Sequence, residues 1–362
     1  MSDYLTKQLS TPITLQCGAT LDDVTVAYEC FGKLNEAKDN AIMICHALTG
    51  DSHVTESVEA PKEGWWNDMV GPGKHIDTNK FYVICSNVLG SCKGSMGPGT
   101  INQKTSQKYG LSFPVITVKD IVSVQYQLCI ELGIPSLYAV VGPSMGGMQA
   151  LEWAISYSKY CKRCVVIASS SSLSPQALAF GMVGRNAIIS DRSFNEGNYD
   201  EEKPKQGLAI ARMIGHITYL SKKSITDKFG RKLQEKKEYN YELDSDFQIE
   251  SYLHYQGDKF VESFDANSYL YLSKALSYFD LSKEYGSLKK AFEKISASML
   301  FISISSDWLY PTEQSKEMAR TCMNMNKKVT FCEVESDYGH DSFLIEVDKF
   351  GEVIHSFIER EL

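Results

Sequence analysis

Four short runs in the first half of the chain are apolar throughout and rich in β-branched residues: "AIMIC" (41–45), "FYVICSN" (81–87), "LYAVV" (137–141) and "CVVIAS" (164–169). A strand with one wet face alternates apolar and polar residues. These runs do not alternate, so each needs cover on both faces, as in a mostly parallel sheet flanked by helices. Helical patterns lie between them. "KDIVSVQYQLCIELGI" repeats Ile121, Val124 and Leu128 at helical spacing before Gly133, and "MQALEWAISY" puts Leu151, Ala154 and Ile155 on one face. The alternation predicts an α/β fold with right-handed crossovers.

From about residue 175 the texture changes. "LSPQALAFGMVGRNAIISD", "KQGLAIARMIGHITYLSKKSI" and "NSYLYLSKALSYFDLSKEYGSLKKAFEKI" read as helices, and "GRKLQEKKEYNYELDSDFQIES" is too polar for a core and reads as a surface connection. Strand-like runs return at "SMLFISIS" (298–305) and "KVTFCEV" (328–334). We therefore expect a sheet domain from residues 1–174 and 291–362, interrupted by a helical lid over 175–290.

The bulk composition excludes several roles. A net charge of −8 gives no support for nucleic-acid or membrane-surface binding. No basic stretch followed by an apolar core opens the chain, and no apolar run is long enough to span a membrane. Several of the ten cysteines sit inside strand-like runs, which fits buried free thiols in the cytoplasm better than a disulfide framework. Cys161 and Cys164 form a C-x-x-C without a second pair, so no metal site is expected.

"VGPSMGG" (141–147) follows one strand-like run and precedes a helical pattern. Either it is a turn without chemistry, or Ser144 is a nucleophile at a sharp strand-to-helix elbow. The placement favours the second reading. Glycines at 142 and 146 let neighbouring backbone come close, and the helix that follows presents free N–H groups to developing negative charge. A serine needs a base, and the base needs an orienting acid, in the chain order Ser, Asp or Glu, His. Asp307 ends one late strand run and His340 lies in the loop after the other. His46, His53 and His75 precede the serine, while His216, His254 and His355 fall in helical segments. Glu335, Asp337 and Asp341 compete for the acid role, but they share the histidine's loop. An oxyanion hole is expected from the backbone N–H groups of Leu48, in "CHALTGDSH", and Met145.

The chain resembles the homoserine O-acetyltransferases of the α/β-hydrolase superfamily. The resemblance rests on "HALTGDSHV", "WWNDMVGPGKHIDTNKFYVICSNVLGSCKGSMGP", "FPVITVKDIV", "GPSMGGMQALEW", "GLAIARMIGHITYL", "SDWLYP" and "GHDSFLIE", spread from about residue 43 to 348. It implies acetyl transfer from acetyl-CoA, a cosubstrate, to the γ-hydroxyl of L-homoserine through an acyl-Ser144 intermediate, with Asp307 and His340 completing the triad. No cofactor or metal is implied. Arg212 would hold the homoserine carboxylate and Asp341 the amino group. Tyr219, two helical turns beyond Arg212, can share its face. The family also implies a cytoplasmic homodimer joined through the lid, in methionine biosynthesis. Leu309 stands where succinyl-using relatives tend to carry arginine, which favours acetyl. Lys93 and Met96 depart from the family's usual pattern. Homoserine O-succinyl transfer, L-serine acetylation, a serine esterase or thioesterase, and a non-catalytic binding protein are the alternatives.

Overall fold

The computed structural model describes residues 4–57, 61–200 and 202–360. Its centre is a sheet of strands β1 (Leu5–Gln8), β2 (Thr25–Phe31), β3 (Ala41–Ile44), β4 (Tyr82–Ser86), β5 (Ala139–Pro143), β6 (Arg163–Ile167), β7 (Ser298–Ile304) and β8 (Val329–Val334). They lie in the order β1-β2-β4-β3-β5-β6-β7-β8. β2 runs antiparallel to both neighbours, and every pairing from β4 to β8 is parallel.

The continuous apolar runs are explained by two cores. Met43, Ile84, Val140, Val166 and Phe301 face one cluster. Their chain neighbours Ile42, Val83, Val141, Val165 and Ile302 face another on the opposite side. The first core is covered by α1 (Val118–Glu131) and α2 (Met145–Ser156), through Ile121, Leu128, Met148 and Leu151. A capping box starts α1: Asp120 N–H donates to the Thr117 hydroxyl and Thr117 N–H to the Asp120 carboxylate.

Between β6 and β7 come α3 (Pro175–Ile189), α4 (Lys205–Tyr219), α5 (Lys222–Lys228), α6 (Gln248–Ser263), α7 (Ala266–Tyr278), α8 (Leu281–Tyr285) and α9 (Leu288–Glu293). α4 packs between α3 and α6. Gly207 makes the first crossing so close that a Cβ there would lie 2.4 Å from the Ala187 carbonyl oxygen. α7 ties these helices to the body, its Tyr271 hydroxyl donating to the Phe113 carbonyl at 2.5 Å. Residue 290, the expected end of the lid, falls inside α9, whose Phe292 stacks on Phe301 of β7. α10 (Thr312–Met323) then joins the first core, and α11 (Ser342–Ile345) leads into α12 (Val347–Glu359). Phe350, Ile354 and Phe357 of α12 close the second core.

The junction of β5 and α2 leaves no space. A Cβ on Gly146 would lie 1.9 Å from the Cys45 carbonyl oxygen, whereas one on Gly99 would meet nothing within 4 Å. Gly146→Ala should therefore destabilise the protein by about 3 kcal/mol, at the upper end of overpacking costs. Gly99→Ala should leave the melting temperature within a degree or so. Thermal melts of the two variants beside the parent would check this.

Candidate active site

β5 delivers Ser144 at its carboxyl end, and α2 starts at the next residue. Ser144 has φ 56° and ψ −122°, a conformation that side-chain-bearing residues seldom hold. It is locked from both sides. Its N–H donates to the Ile167 carbonyl at 2.9 Å, and its carbonyl accepts from Gly147 N–H at 2.9 Å. The turn tolerates glycine alone where the strands and helix meet. A Cβ on Gly142 would lie 2.0 Å from the Gly146 carbonyl oxygen. Through residues 139–155, Ser144 alone keeps partial solvent exposure. Met145 N–H is the first of α2, so it has no intrahelical acceptor and remains free for an anion.

The loop carrying Leu48 follows β3 and is anchored by a histidine that sequence order had set aside. His46 is wholly buried. Its Nδ1 lies 2.7 Å from the Ala47 carbonyl, and its Nε2 accepts from Val88 N–H at 3.1 Å. Those partners require one proton, on Nδ1. Burial agrees, holding the imidazole pKa below its ordinary value against the pull of the Ala47 carbonyl and Asp51. Gln149 of α2 donates to the His46 carbonyl at 3.0 Å and accepts from Gln125 at 2.8 Å, and Gln125 accepts from Trp153 at 2.9 Å. This buried chain fixes the loop of Leu48 against the helix of Met145. No sequence motif announces it, although a glutamine inside the apolar helix "MGGMQALEW" is a signal of a buried polar partner.

Asp307 and His340 emerge from the carboxyl ends of β7 and β8. His340 Nδ1 lies 2.7 Å from Asp307 Oδ2, and both residues are buried. Asp307 Oδ1 accepts from the N–H groups of Leu309 and Tyr310, each at 2.9 Å. Burial disfavours the imidazolium, but the charge and hydrogen bond of Asp307, with the charge of Asp341, outweigh it and raise the His340 pKa. Two of the three rival acids point elsewhere. Asp337 pairs with Lys223 at 3.3 Å, and Glu335 is exposed.

Arg212 and Tyr219 come from α4. The Arg212 guanidinium donates to the Thr49 hydroxyl at 3.3 Å and lies over the rings of Phe260 and Tyr219, at 4.8 and 5.8 Å. Its Nε is buried with no hydrogen-bond partner among the described residues, a donor placed for a ligand. The Tyr219 ring centroid is 6.0 Å from that of His340, and the Tyr219 carbonyl accepts from Asp341 N–H at 3.2 Å. Burial raises the Asp341 carboxyl pKa, while His340 and Arg212 oppose the rise. α4 thus brings a cation to the side of the base that carries the Asp341 carboxylate.

The remaining candidates are engaged with other partners, although His216 also lies against Tyr219, with ring centroids 5.8 Å apart. His53 binds Glu29 at 2.9 Å, and His75 binds Asp348 at 3.0 Å. His216 meets Tyr252 at 3.1 Å, with a pKa lowered to about 4 by burial and by the nearby charges of Arg212 and Lys228. Cys161 and Cys164 donate to different carbonyls, those of Arg163 and Ala150. Lys93 is partly buried and Met96 is buried in the first core.

Residues 40–347 match the alpha/beta hydrolase fold family. A homoserine O-acetyltransferase of Methanosalsum zhilinae is 51% identical over 97% of this chain and 71% of its own. The crystal structure of homoserine O-acetyltransferase from Bacillus anthracis superimposes with a TM-score of 0.92 at 28% identity, covering 100% of this chain and 99% of that one. Esterase E22 superimposes with a TM-score of 0.90 at 30% identity, covering 98% of this chain and 99% of its own.

The Asp307–His340 pair makes a prediction for any acyl chemistry run here. A general base acts when neutral, so kcat/KM should fall as pH drops through an apparent pKa above the ordinary imidazole value. Asp307→Asn removes the carboxylate that raises it. The acid limb should move to lower pH, and turnover should drop by about a thousand- to ten-thousandfold. A pH–rate profile of both proteins would show it.

Proposed function

The chain belongs to the alpha/beta hydrolase fold family and, within it, to the homoserine O-acetyltransferases; from that membership we propose that it moves the acetyl group of acetyl-CoA to the γ-hydroxyl of L-homoserine. The observation that carries the acceptor assignment is that the Asp341 carboxylate lies within the electrostatic reach of both Arg212 and His340. A guanidinium with a buried, unpartnered Nε suits an α-carboxylate, and the Asp341 carboxylate suits an α-ammonium. A simple ester has no use for both.

In the first half-reaction Ser144 Oγ attacks the thioester carbonyl while His340 takes its proton. Asp307 steadies the imidazolium. The N–H groups of Leu48 and Met145 receive the tetrahedral oxyanion. The imidazolium then returns the proton to the departing thiolate, leaving acetyl-Ser144. In the second, the homoserine hydroxyl gives its proton to His340 and attacks the acyl group, and Ser144 Oγ leaves and is reprotonated. O-acetyl-L-homoserine, a methionine precursor, is released. Leu309 offers no cation to a distal carboxylate, which supports acetyl over succinyl. Tyr219 sits between Arg212 and His340 and would line the acceptor site. Met182 and Val183 of α3 and Ile210 and Ile217 of α4 are exposed apolar residues, which supports pairing of two copies through the helical lid. Ten free cysteines fit a cytoplasmic setting.

The test is a mass-spectrometric product assay with acetyl-CoA or succinyl-CoA and L-homoserine, L-serine or water, beside Ser144→Ala. O-acetylhomoserine formed fastest, and lost in the variant, is the expected result. Free acetate without dependence on an acceptor would instead identify an esterase. Arg212→Ala should raise the homoserine KM roughly ten- to a hundredfold, the worth of hydrogen bonds to a charged group. Acetylation of Ser144 by acetyl-CoA should persist.

A further inference from the structure

The turn that carries Leu48 is held at both ends. At its start, Gln149 donates to the His46 carbonyl, and Gly50 N–H closes the turn on the Ala47 carbonyl at 3.0 Å. At its end, Ser52 and His53 reach an acid on β2. The Ser52 hydroxyl donates to Glu29 Oε1 at 3.1 Å, and His53 Nδ1 lies 2.9 Å from Glu29 Oε2. Glu29 stands in the middle of "TVAYECF", an apolar strand in which an acid needs a partner. Its side chain is 8% exposed, and that of His53 is 16% exposed. Between these anchors the Thr49 hydroxyl accepts from Arg212, so the same turn also meets the cation of the acceptor site.

Each nitrogen of the His53 ring faces an acceptor. Nε2 lies 2.6 Å from the Lys62 carbonyl, which can only accept, and Nδ1 faces the Glu29 carboxyl. Both bonds form only when ring and carboxyl hold two protons between them, as imidazolium with carboxylate or as imidazole with carboxylic acid. With one proton fewer, the Nδ1 lone pair would face a carboxylate and the bond would become a repulsion. Among the described residues, Asp51 and Cys85 are the other titratable groups at this pair. The Asp51 carboxylate accepts from His53 N–H at 3.1 Å, and the Cys85 thiol lies 3.7 Å from the Asp51 carbonyl and is kept protonated by burial. Burial disfavours the His53 imidazolium, but the bonds to Glu29 and Lys62 and the charges of Glu29 and Asp51 outweigh it and raise its pKa.

We infer that Glu29 and His53 are positioning residues for the oxyanion hole, joined by a proton that latches the Leu48 turn in its working shape. The inference rests on the reading of Ser144 as nucleophile and Leu48 as oxyanion donor. An N–H displaced by about an ångström no longer meets the oxyanion squarely, so an open latch weakens the transition state while the triad stays intact. The His53 pKa is raised in the folded protein, so the latch is closed at low pH and opens as pH rises through that value. Acylation should therefore have two limbs in pH. His340 sets the acid limb, and the Glu29–His53 pair sets the alkaline one.

The test reads acylation alone, as CoA released from saturating acetyl-CoA in a single turnover without homoserine. The acceptor's amino group then has no part in the pH profile. In the parent, the rate should fall along the alkaline limb. Glu29→Ala removes the anchor and should slow CoA release roughly ten- to a hundredfold, the range for a displaced catalytic group. Glu29→Gln tests the proton itself. Its amide can donate to a neutral imidazole and accept from Ser52, so it closes the latch without an ionisation. The glutamine variant should recover much of the rate lost in the alanine variant, and that rate should stay level where the parent's falls. An alkaline limb that survives unchanged in Glu29→Gln would overturn the inference, as would a Glu29→Ala enzyme as fast as the parent. Should the variants fail to fold, NMR of isotope-labelled histidine in the parent gives the answer. The His53 ring signals should move together with the alkaline limb, and a ring that titrates elsewhere would overturn the inference. A parent in which mass spectrometry finds no acetyl-Ser144 would sink the reading of the nucleophile itself, an outcome separate from any effect at position 29.

Discussion

The site depends on one close approach between backbones. Where β5 turns into α2, Gly142 meets the carbonyl of Gly146, and Gly146 meets that of Cys45, at distances that no side chain could share. That contact forces the chain to reverse within a residue and leaves Ser144 at the apex with positive φ. Such a conformation costs of order 1–3 kcal/mol and persists only when its surroundings over-determine it. Here they do. The Ser144 N–H is held by β6, its carbonyl by α2, and the sheet beneath is apolar on both faces. The stability of two cores is what keeps one serine in an unfavourable geometry.

The same contact sets the relation between the two expected oxyanion donors. Cys45 precedes His46, and His46 is tied to Gln149, Gln125 and Trp153. The loop of Leu48 and the first turn of α2 are therefore parts of one hydrogen-bonded unit. A charged His46 would have two donors and could not accept from Val88, so the low imidazole pKa imposed by burial is a condition of the loop's shape.

Much of this was legible in the sequence because it follows from local rules. Uninterrupted apolar runs required cover on two faces, and "VGPSMGG" lay between a strand and a helix where a sharp turn was required. Asp307 stood out from the acids near His340 because it ended its own strand, and it is the one paired with the histidine. Other elements were less visible. β1 reads "LTKQ" and lies exposed at the sheet's edge, so burial left no pattern in it. β2, "TVAYECF", does carry β-branched and aromatic residues and is mostly buried; only its isolation at the start of the chain concealed it. The extent of the lid was harder still. Its final helix, α9, serves the sheet through Phe292, and nothing in "LKKAFE" distinguishes that duty from packing among other lid helices. Tyr310 was present in "SDWLYP", yet a tyrosine three residues after an acid signals nothing until the turn brings it onto the histidine.

The end of α4 is fastened to the loop of the base by several bonds. Tyr219 carbonyl accepts from Asp341, Leu220 carbonyl from the Trp308 indole, and the Ser221 hydroxyl donates to the Asp337 carbonyl. The lid is for that reason no detachable cover. Its outer parts, such as the exposed stretch around Tyr241 and Leu243, are free to drift in sequence as the lineage diverges. Its inner helix is not, because any change in the course of α4 is also a change in where His340 stands. A variant that takes a new acceptor must therefore change side chains while keeping the course of α4, and a lid grafted whole from a relative would bring that relative's base geometry with it.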